Sequence, residues 1–532
     1  MKKICILAFV MAMYITACNS GNTSLEEKKI SKRDYSINKK NAYNDLFLDS
    51  TDVENYILKN NIEKELSNRI RSFYNARNYQ YAWFSSNGLT EQALGFWSLR
   101  NYTGDTSVSR KSLQKTMDDL MTDDSLVVHS HDRVALKAEL SLSENFISFT
   151  RNTFAKGYVK RKEMERFIPF KKADPLYLAD SMLSKKHTDD KYFSDINEPY
   201  KLLSEQLSRY IAIARKGGWP AIPRDAKNLK KGTSSPEIVL IKKLLTLTGD
   251  IPQQDSSELY NENLVSGIKN FGLRFGFKTN GVLSGVLLKE MNVSVTERVK
   301  QILINMNRMR WMPRKPDGRL IVVNIPEFIL HMYKEKEKVF DMAVVVGNEG
   351  HSTTIFSDKL TTIVFSPFWN LPESIVKKEI MPSIAGNENY LEDHNMEITG
   401  QRNGLPVVRQ KPGGENSLGK VKFLFPNSFN IYFHDTPAKS LFSKDVRAYS
   451  HGCVRLGEPE KLAEYLLRDN SQWTNEKINE AMNSGDEKFV TLKTPVPVFI
   501  TYCTAWVNED GKLNFRNDIY GHDADITHKM FD

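Results

Sequence analysis

The chain has 532 residues, 40% of them apolar and 11% aromatic, so it has the length for two to four domains and the composition for real cores. Lysine and arginine number 74 against 65 acidic residues, a net charge of +9 with no concentrated basic run; this argues against nucleic acid and fits solubility or an anionic wall or membrane surface. Four cysteines in a chain of this size suggest no disulfide framework.

At the N-terminus, Lys2 and Lys3 precede an apolar run from Ile4 to Ile15, then Thr16, Ala17 and Cys18. A charged start, a short apolar stretch and a small-residue end predict an export signal over residues 1–17, too short for a good membrane span. Residues 18–55, dominated by Lys, Asn, Ser and Asp, read as a flexible tether. From 56 to 232 the pattern is mainly helical. Leu66, Ile70 and Phe73 recur at helical steps, as do Leu142, Phe146 and Phe149; Asn87–Gly88, Gly157 and Gly217–Pro220 interrupt. His129 and His131 read as surface histidines.

Residues 233–296 predict three small helices. Ile238, Ile241 and Leu244 form one stripe, Val265, Ile268, Phe271 and Phe275 a second, and the third follows Thr279-Asn280-Gly281. The region 297–525 opens with a helix over Val299–Pro313, stopped by Pro313 and Pro316. Strands follow in RLIVVNI, FILHMY, KVFDMAVVVG and TTIVFSPFWNLP. SIVKKEIMPSI reads as a helix, and about 387–414 is polar and Gly-rich. VKFLFP and FNIYFH predict a hairpin, Pro459 the first turn of a helix, and VPVFITYCTAWV and KLNFRNDIYG strands joined by Asn-Glu-Asp-Gly. Residues 526–532 read as a tail. The predicted class is multidomain α+β, helical first and mostly β last.

The chemistry concentrates in Phe429–Leu456. Phe429, Ile431 and Phe433 alternate with Asn430, Tyr432 and His434, which puts His434 at a strand end on the more polar face. Cys453 lies in Ser-His-Gly-Cys, where Gly452 permits close approach of a substrate. A histidine that takes the thiol proton makes a thiolate nucleophile, and backbone N–H groups near Gly452 and Cys453 could hold an oxyanion. One of His434 and His451 would be the base and the other a supporting group. A buried, inert cysteine is the commoner fate of a lone Cys. Zinc on His434, His451 and Cys453 fits no common spacing and lacks an obvious fourth ligand. Cys503, in ITYCTAW, reads as core, with a disulfide to Cys453 left open.

With SHGCVRL and a histidine 19 positions before the cysteine, the chain resembles the L,D-transpeptidases of bacterial cell walls. VVNIPEFIL, SPFWNLP, RQKPGGENSLGKVKFLFPN and FHDTPAKSLF extend the resemblance to the long, multidomain branch. It implies Cys453 as the acylated nucleophile, His434 as its base, the Asp435 carbonyl as the group that orients the imidazole, and His451 and Gly452 as shapers of the oxyanion hole. Many members carry Asn two positions after the cysteine; Arg455 stands there. Tyr432, Ser450, Arg455, Trp369 and Arg447 are the candidates for substrate contact. The implied architecture is a helical scaffold with an inserted three-helix module similar to peptidoglycan-binding modules, and a mostly-β catalytic domain whose cap subdomain is residues 387–414. In the module, Asn270 and Asn280 replace the usual Gln and Asp.

The implied reaction is thioester acyl transfer from tetrapeptide stems of peptidoglycan, giving 3–3 cross-links with no metal and no organic cofactor. Carbapenems are implied as acylating inhibitors. Water as acceptor would make an L,D-carboxypeptidase; a sortase-like acyltransferase and a catalytically silent wall-binding protein are the other readings. Ile-Thr-Ala-Cys resembles a bacterial lipoprotein box, which implies a lipid on Cys18 and attachment at the periplasmic side of the envelope, with Asn19 favouring the outer membrane. Oligomeric state is open.

Overall fold

The computed structural model describes residues 30–104, 111–121, 126–153, 161–183, 198–253 and 255–532. The expected export signal, Cys18 and Gly157 lie outside the described residues.

The first region is helical: α1 (Ser50–Lys59), α2 (Lys64–Ala76), α3 (Glu91–Thr103), α4 (Lys111–Met121), α5 (Arg133–Thr153), α6 (Arg161–Phe167), α7 (Pro175–Leu183) and α8 (Glu198–Arg215). Local sequence sets their starts. Asp49 and Asp52 form a capping box at α1, and the Thr90 side chain accepts from Ala93 N–H at α3. Their apolar faces close over Trp83, which packs against Phe96, Phe146 and Trp311 with ring centroids 5.3, 5.3 and 6.3 Å away. Beneath it Glu139 is wholly buried, accepting from the N–H groups of Ala82 and Trp83 and from the Tyr74 hydroxyl. Burial pushes its carboxyl up to about 7, against those donors.

The tether reading fails from residue 30 onward. Ile37, Tyr43, Leu46 and Leu48 are buried, and Leu48 N–H and Tyr81 N–H bond to the carbonyls of Tyr79 and Leu46. The polar average of this stretch conceals well-spaced apolar anchors: Ile37, Leu46 and Leu48 sit in the helical core, and Tyr43 in a small cluster with Ile304, Ile526 and Met530.

The three short helices are α9 (Pro236–Thr248), α10 (Glu262–Arg274) and α11 (Gly285–Met291). Phe271 and Phe275 are core: they stack on one another at 4.1 Å, and Phe275 stacks on Phe515 at 5.3 Å. Arg274 pairs with buried Asp250 and also donates to the Leu513 carbonyl at 2.6 Å, which docks this unit onto the C-terminal hairpin. α12 (Val295–Met309) follows and packs into the helical core through Val299, Ile302, Leu303 and Met306, so the boundary drawn at 297 divides a helix that belongs with the scaffold.

Beyond α12 the strands are β1 (Arg319–Asn324), β2 (Ile329–Lys334), β3 (Glu337–Gly347), β4 (Phe356–Phe365), β5 (Trp369–Asn370), β6 (Met396–Arg402), β7 (Leu405–Gln410), β8 (Val421–Leu424), β9 (Phe433–His434), β10 (Ala448–Ser450), β11 (Val454–Leu456), β12 (Lys488–Thr501), β13 (Ala505–Val507) and β14 (Leu513–Phe515). Among the described residues the main sheet has nine strands in the order β10-β3-β11-β9-β8-β4-β12-β1-β2, and β2 also pairs with β3, so the sheet closes on itself. Closure leaves no long free edge. Alternating residues fill its interior, among them Ile321, Val344, Ile363, Phe423, Phe433, Val454 and Val498. α13 (Pro459–Leu467) and α14 (Asn475–Asn483) pack against that core through Leu462, Leu466 and Ile478.

β5, β7 and β6 form a separate three-stranded sheet with its own small core of Leu371, Val376, Ile380 and Val408. This is the cap. It begins at Trp369, earlier than the expected 387, because its helices at Glu373–Gly386 carry half of that core. β13 and β14 pack on the helical region, and α15 (His522–Met530) is docked through Ile526 and Met530 rather than being a loose tail. Arg308 on α12 joins these parts, paired with Glu91 of α3 and Asp523 of α15. Among the described residues no helix is long and apolar enough to cross a membrane.

Candidate active site

β9 and β11 run side by side in parallel, with Phe433 opposite Val454 and His434 opposite Arg455. Ile431, Phe433, Val454 and Leu456 point into the sheet interior. The alternation therefore puts Tyr432, His434, Cys453 and Arg455 on the other face. β9 is only two residues long, because Asn430 takes a φ of +54° and ends the extended run seen in the sequence. On the far side of β9, Lys422 of β8 is opposite His434, so the imidazole has a cation across each strand boundary.

The His434 Nδ1 lies 2.5 Å from the Asp435 carbonyl. A carbonyl only accepts, so Nδ1 carries the proton and Nε2 of the neutral ring keeps its lone pair. Burial, and then the Arg455 charge, push the imidazole pKa down to about 3. Tyr432 packs its ring 5.7 Å from that of His434.

The Cys453 thiol is free and half-buried, and its hydrogen bond is to the Asn430 carbonyl at 3.7 Å. Burial pushes its pKa up; the backbone N–H and hydroxyl of Tyr432 and the Arg455 charge oppose this. The Tyr432 hydroxyl also faces Trp369 at the start of the cap. Cys453, Tyr432, His434, Arg455 and Trp369 are thus brought together.

The Arg455 side chain makes no hydrogen bond or ion pair among the described residues, and its Nε is buried without a partner. Burial lowers its pKa, while the Cys453 thiolate would raise it.

Ser450 and Arg447, expected as substrate contacts, have their polar groups engaged within the chain. Ser450 is 1% exposed; its hydroxyl donates to the Cys453 carbonyl at 2.5 Å and accepts from Gly452 N–H at 3.2 Å. It ties the turn that presents the thiol. Arg447 donates to the carbonyls of Val344, Lys444 and Phe328, so its fork is consumed by backbone. Gly452, expected to shape the oxyanion hole, is also engaged within the turn. Its N–H is taken by the Ser450 hydroxyl and its carbonyl by the Thr353 hydroxyl at 2.8 Å, whereas Cys453 N–H has no hydrogen-bond partner among the described residues. Its φ of +107° is the reason for glycine here. His451 is exposed, with Nε2 3.4 Å from Glu379 of the cap and its ring 5.2 Å from that of His351.

Asn430, Thr353, Lys422 and Glu379 were not found by sequence reasoning. The alternation could have pointed to Lys422, but the others act through a carbonyl, a long-range hydroxyl contact and a tertiary ion pair. Cys503 is buried, its thiol pushed up to about 12, beside a cavity of about 50 Å³ between scaffold and sheet. Among the described residues no group of three His, Cys, Asp or Glu could hold a metal.

Residues 318–498 match the family model for the L,D-transpeptidase catalytic domain, and residues 68–207 match that for a scaffold domain. The chain therefore carries an L,D-transpeptidase catalytic domain behind a helical scaffold. A curated Haemophilus influenzae protein with a provisional L,D-transpeptidase name is 31% identical over 253 residues, 45% of this chain and 50% of that protein. The chain thus spans about half the length of this curated relative. Among solved structures, an L,D-transpeptidase from Stackebrandtia nassauensis is 13% identical over 51% of this chain and 94% of its own, at a TM-score of 0.22. One from Mycobacterium smegmatis is 13% identical over 35% and 58%, at a TM-score of 0.20. Scores this low add nothing to the domain match.

Proposed function

We propose that the protein is a murein L,D-transpeptidase that transfers peptidoglycan stem peptides through a thioester on Cys453. The observation that carries this reading is the neutral His434, tied at Nδ1 to the Asp435 carbonyl, on the same face as the Cys453 thiol. At rest the thiol faces Asn430 and Tyr432. A turn about its χ1 hands the Sγ proton to His434 Nε2, a tightening that substrate-free sites commonly still have to make. The thiolate attacks the carbonyl of the L-to-D bond in a tetrapeptide stem, and Cys453 N–H donates to the oxyanion. The C–N bond breaks, His434 returns the proton to the departing D-alanine amine, and the acyl group stays on sulfur. The side-chain amine of a second stem attacks the thioester, loses its proton to His434, and a 3–3 cross-link forms with the thiol regenerated. Water in place of the amine gives the carboxypeptidase outcome. Trp369 and Tyr432 line the approach from the cap, which would limit water at the thioester.

The test is mass analysis of purified tetrapeptide muropeptides incubated with the protein. Cross-linked dimers and free D-alanine are expected, and neither with Cys453→Ala. Dimers formed at the normal rate by Cys453→Ala would end the proposal.

We also propose, from sequence alone, that Cys18 bears the lipid that holds the protein at the periplasmic face of the envelope. Cys18→Ala is expected to leave the membrane fraction; unchanged fractionation and mobility would refute the anchor.

A further inference from the structure

We propose that the Asp435 side chain is a positioning residue that couples the cap to the catalytic imidazole. The inference rests on His434 being the base. Asp435 works on two sides at once. Its main chain accepts from His434 Nδ1 and donates to the Val421 carbonyl at 2.9 Å, which fixes it to β8. Its carboxylate, almost wholly buried, accepts from Lys420 N–H at 2.9 Å and from Lys439 Nζ at 2.6 Å.

The carboxylate sits where a side chain on residue 419 would lie. A Cβ on Gly419, which has a φ of +61°, would come 2.4 Å from Asp435 Cγ. The Gly419–Lys420 turn is the return limb of the cap. Asn416, 1% exposed, gathers both roots of the cap on that limb: its amide donates to the carbonyls of Pro367, before β5, and of Gln410 and Lys411, after β7. Gly419 N–H bonds back to the Asn416 carbonyl at 2.8 Å. A continuous set of short contacts thus runs from the cap roots through Asn416, the Gly419–Lys420 turn and the Asp435 carboxylate to the carbonyl on His434 Nδ1. Movement of the cap on substrate entry is transmitted to the tilt of the imidazole, and the Asp435 carboxylate is the joint.

The test uses the full chain without substrate, so its outcome is separate from that of the transpeptidase assay. Hydrogen exchange over residues 369–410, the ring-nitrogen NMR shifts of His434 and the alkylation rate of Cys453 are read in Asp435→Ala, Asn416→Ala and the double variant. Asp435→Ala is expected to speed cap exchange by about tenfold and to change the Nδ1–H population of His434. Asn416→Ala is expected to slow alkylation several-fold in the parent and to add little once Asp435 is gone, the non-additivity of residues acting through one joint. Asp435→Asn, which retains an acceptor for Lys420 N–H, stands in if the alanine variant does not fold, and is expected to give the same pattern at smaller amplitude. Additive effects, or a cap and imidazole unmoved by loss of the carboxylate, overturn the coupling. A loss of melting temperature alone, with the His434 shifts unchanged, makes Asp435 a purely structural residue and also overturns it.

Discussion

Arg455 stands directly across the parallel pairing of β9 and β11 from His434, and the two share the face that bears Cys453. The guanidinium has no carboxylate partner among the described residues. It disfavours an imidazolium and favours a thiolate, two effects that push the proton equilibrium in opposite directions. Burial, the largest influence on both groups, makes the resting site a neutral thiol and imidazole, and the cation reinforces this at the imidazole while opposing it at the thiol.

Arg455→Gln removes that charge with a side chain of similar length. Both the imidazole and the thiol pKa are then expected to rise. The midpoint of the pH profile for Cys453 alkylation moves to higher pH, and cross-linking falls by about tenfold. Arg455→Lys keeps the charge and is expected to retain the parent midpoint. An unchanged midpoint in Arg455→Gln would show that the guanidinium does not act on the thiol.

The two histidines separate by their surroundings. His434 is 4% exposed and anchored by a carbonyl; His451 is exposed and faces Glu379 of the cap. His434→Ala is expected to cut the acylation rate by roughly 10²–10⁴, the usual worth of a positioned base. His451→Ala is expected to cost less than about tenfold, through cap closure rather than chemistry. The opposite ranking in stopped-flow acylation would exchange their roles.

Away from the site, His331 sits between Asp341 at 2.7 Å and Glu327 at 3.1 Å. Burial works against its charge, but the two carboxylate contacts outweigh it and raise the pKa to about 9, with Lys338 and Arg516 as the facing cations. A raised histidine pKa stabilises the fold fully below the unfolded value near 6.5 and ceases to do so as pH rises through 9. Unfolding free energy is therefore expected to fall between these limits by at most about 1.4 kcal/mol per pH unit. Denaturant titrations of His331→Gln should lack that slope. An identical slope in both proteins would assign it to other groups.

Much of this was legible in the residues. The Phe433–His434 strand end, the Pro459 helix start and the apolar stripes of α2, α9 and α10 are local patterns, and the structure has them, although the strand is shorter than the alternation predicts. The motif around Cys453 pointed to the right loop because Gly452 and the two histidines are rare together. What was not legible depends on long-range contact. Residues 30–49 look polar on average, yet a few anchors seat them in the core. Ser450 and Arg447 look like recognition groups, yet the loop turns one inward and wraps backbone carbonyls around the other. The cap begins at Trp369 because its core is completed by helices that composition alone assigns to the main domain.

β-Lactams of the carbapenem class are expected to acylate Cys453 and leave a stable thioester. A strained lactam carbonyl is an activated amide, and it needs only the nucleophile and a donor for the oxyanion. Cys453 supplies the sulfur, His434 Nε2 takes its proton, and Cys453 N–H faces the developing charge. The lactam C–N bond breaks, the ring nitrogen receives the proton from His434, and the amine stays tethered to the acyl group, so it does not leave the pocket. Trp369 and Tyr432, at the junction of cap and site, would slow water's approach to the thioester. Intact-protein mass spectrometry is expected to show one added drug mass, carried by the peptide that contains Cys453, and none on Cys453→Ala. Arg455→Gln should form the same adduct more slowly at neutral pH, since its thiol is harder to ionise. Cys503 is expected to stay unmodified, because burial pushes its thiol up to about 12. An adduct on Cys503, or no adduct on a protein that still cross-links stems, would refute this account of the nucleophile and its base.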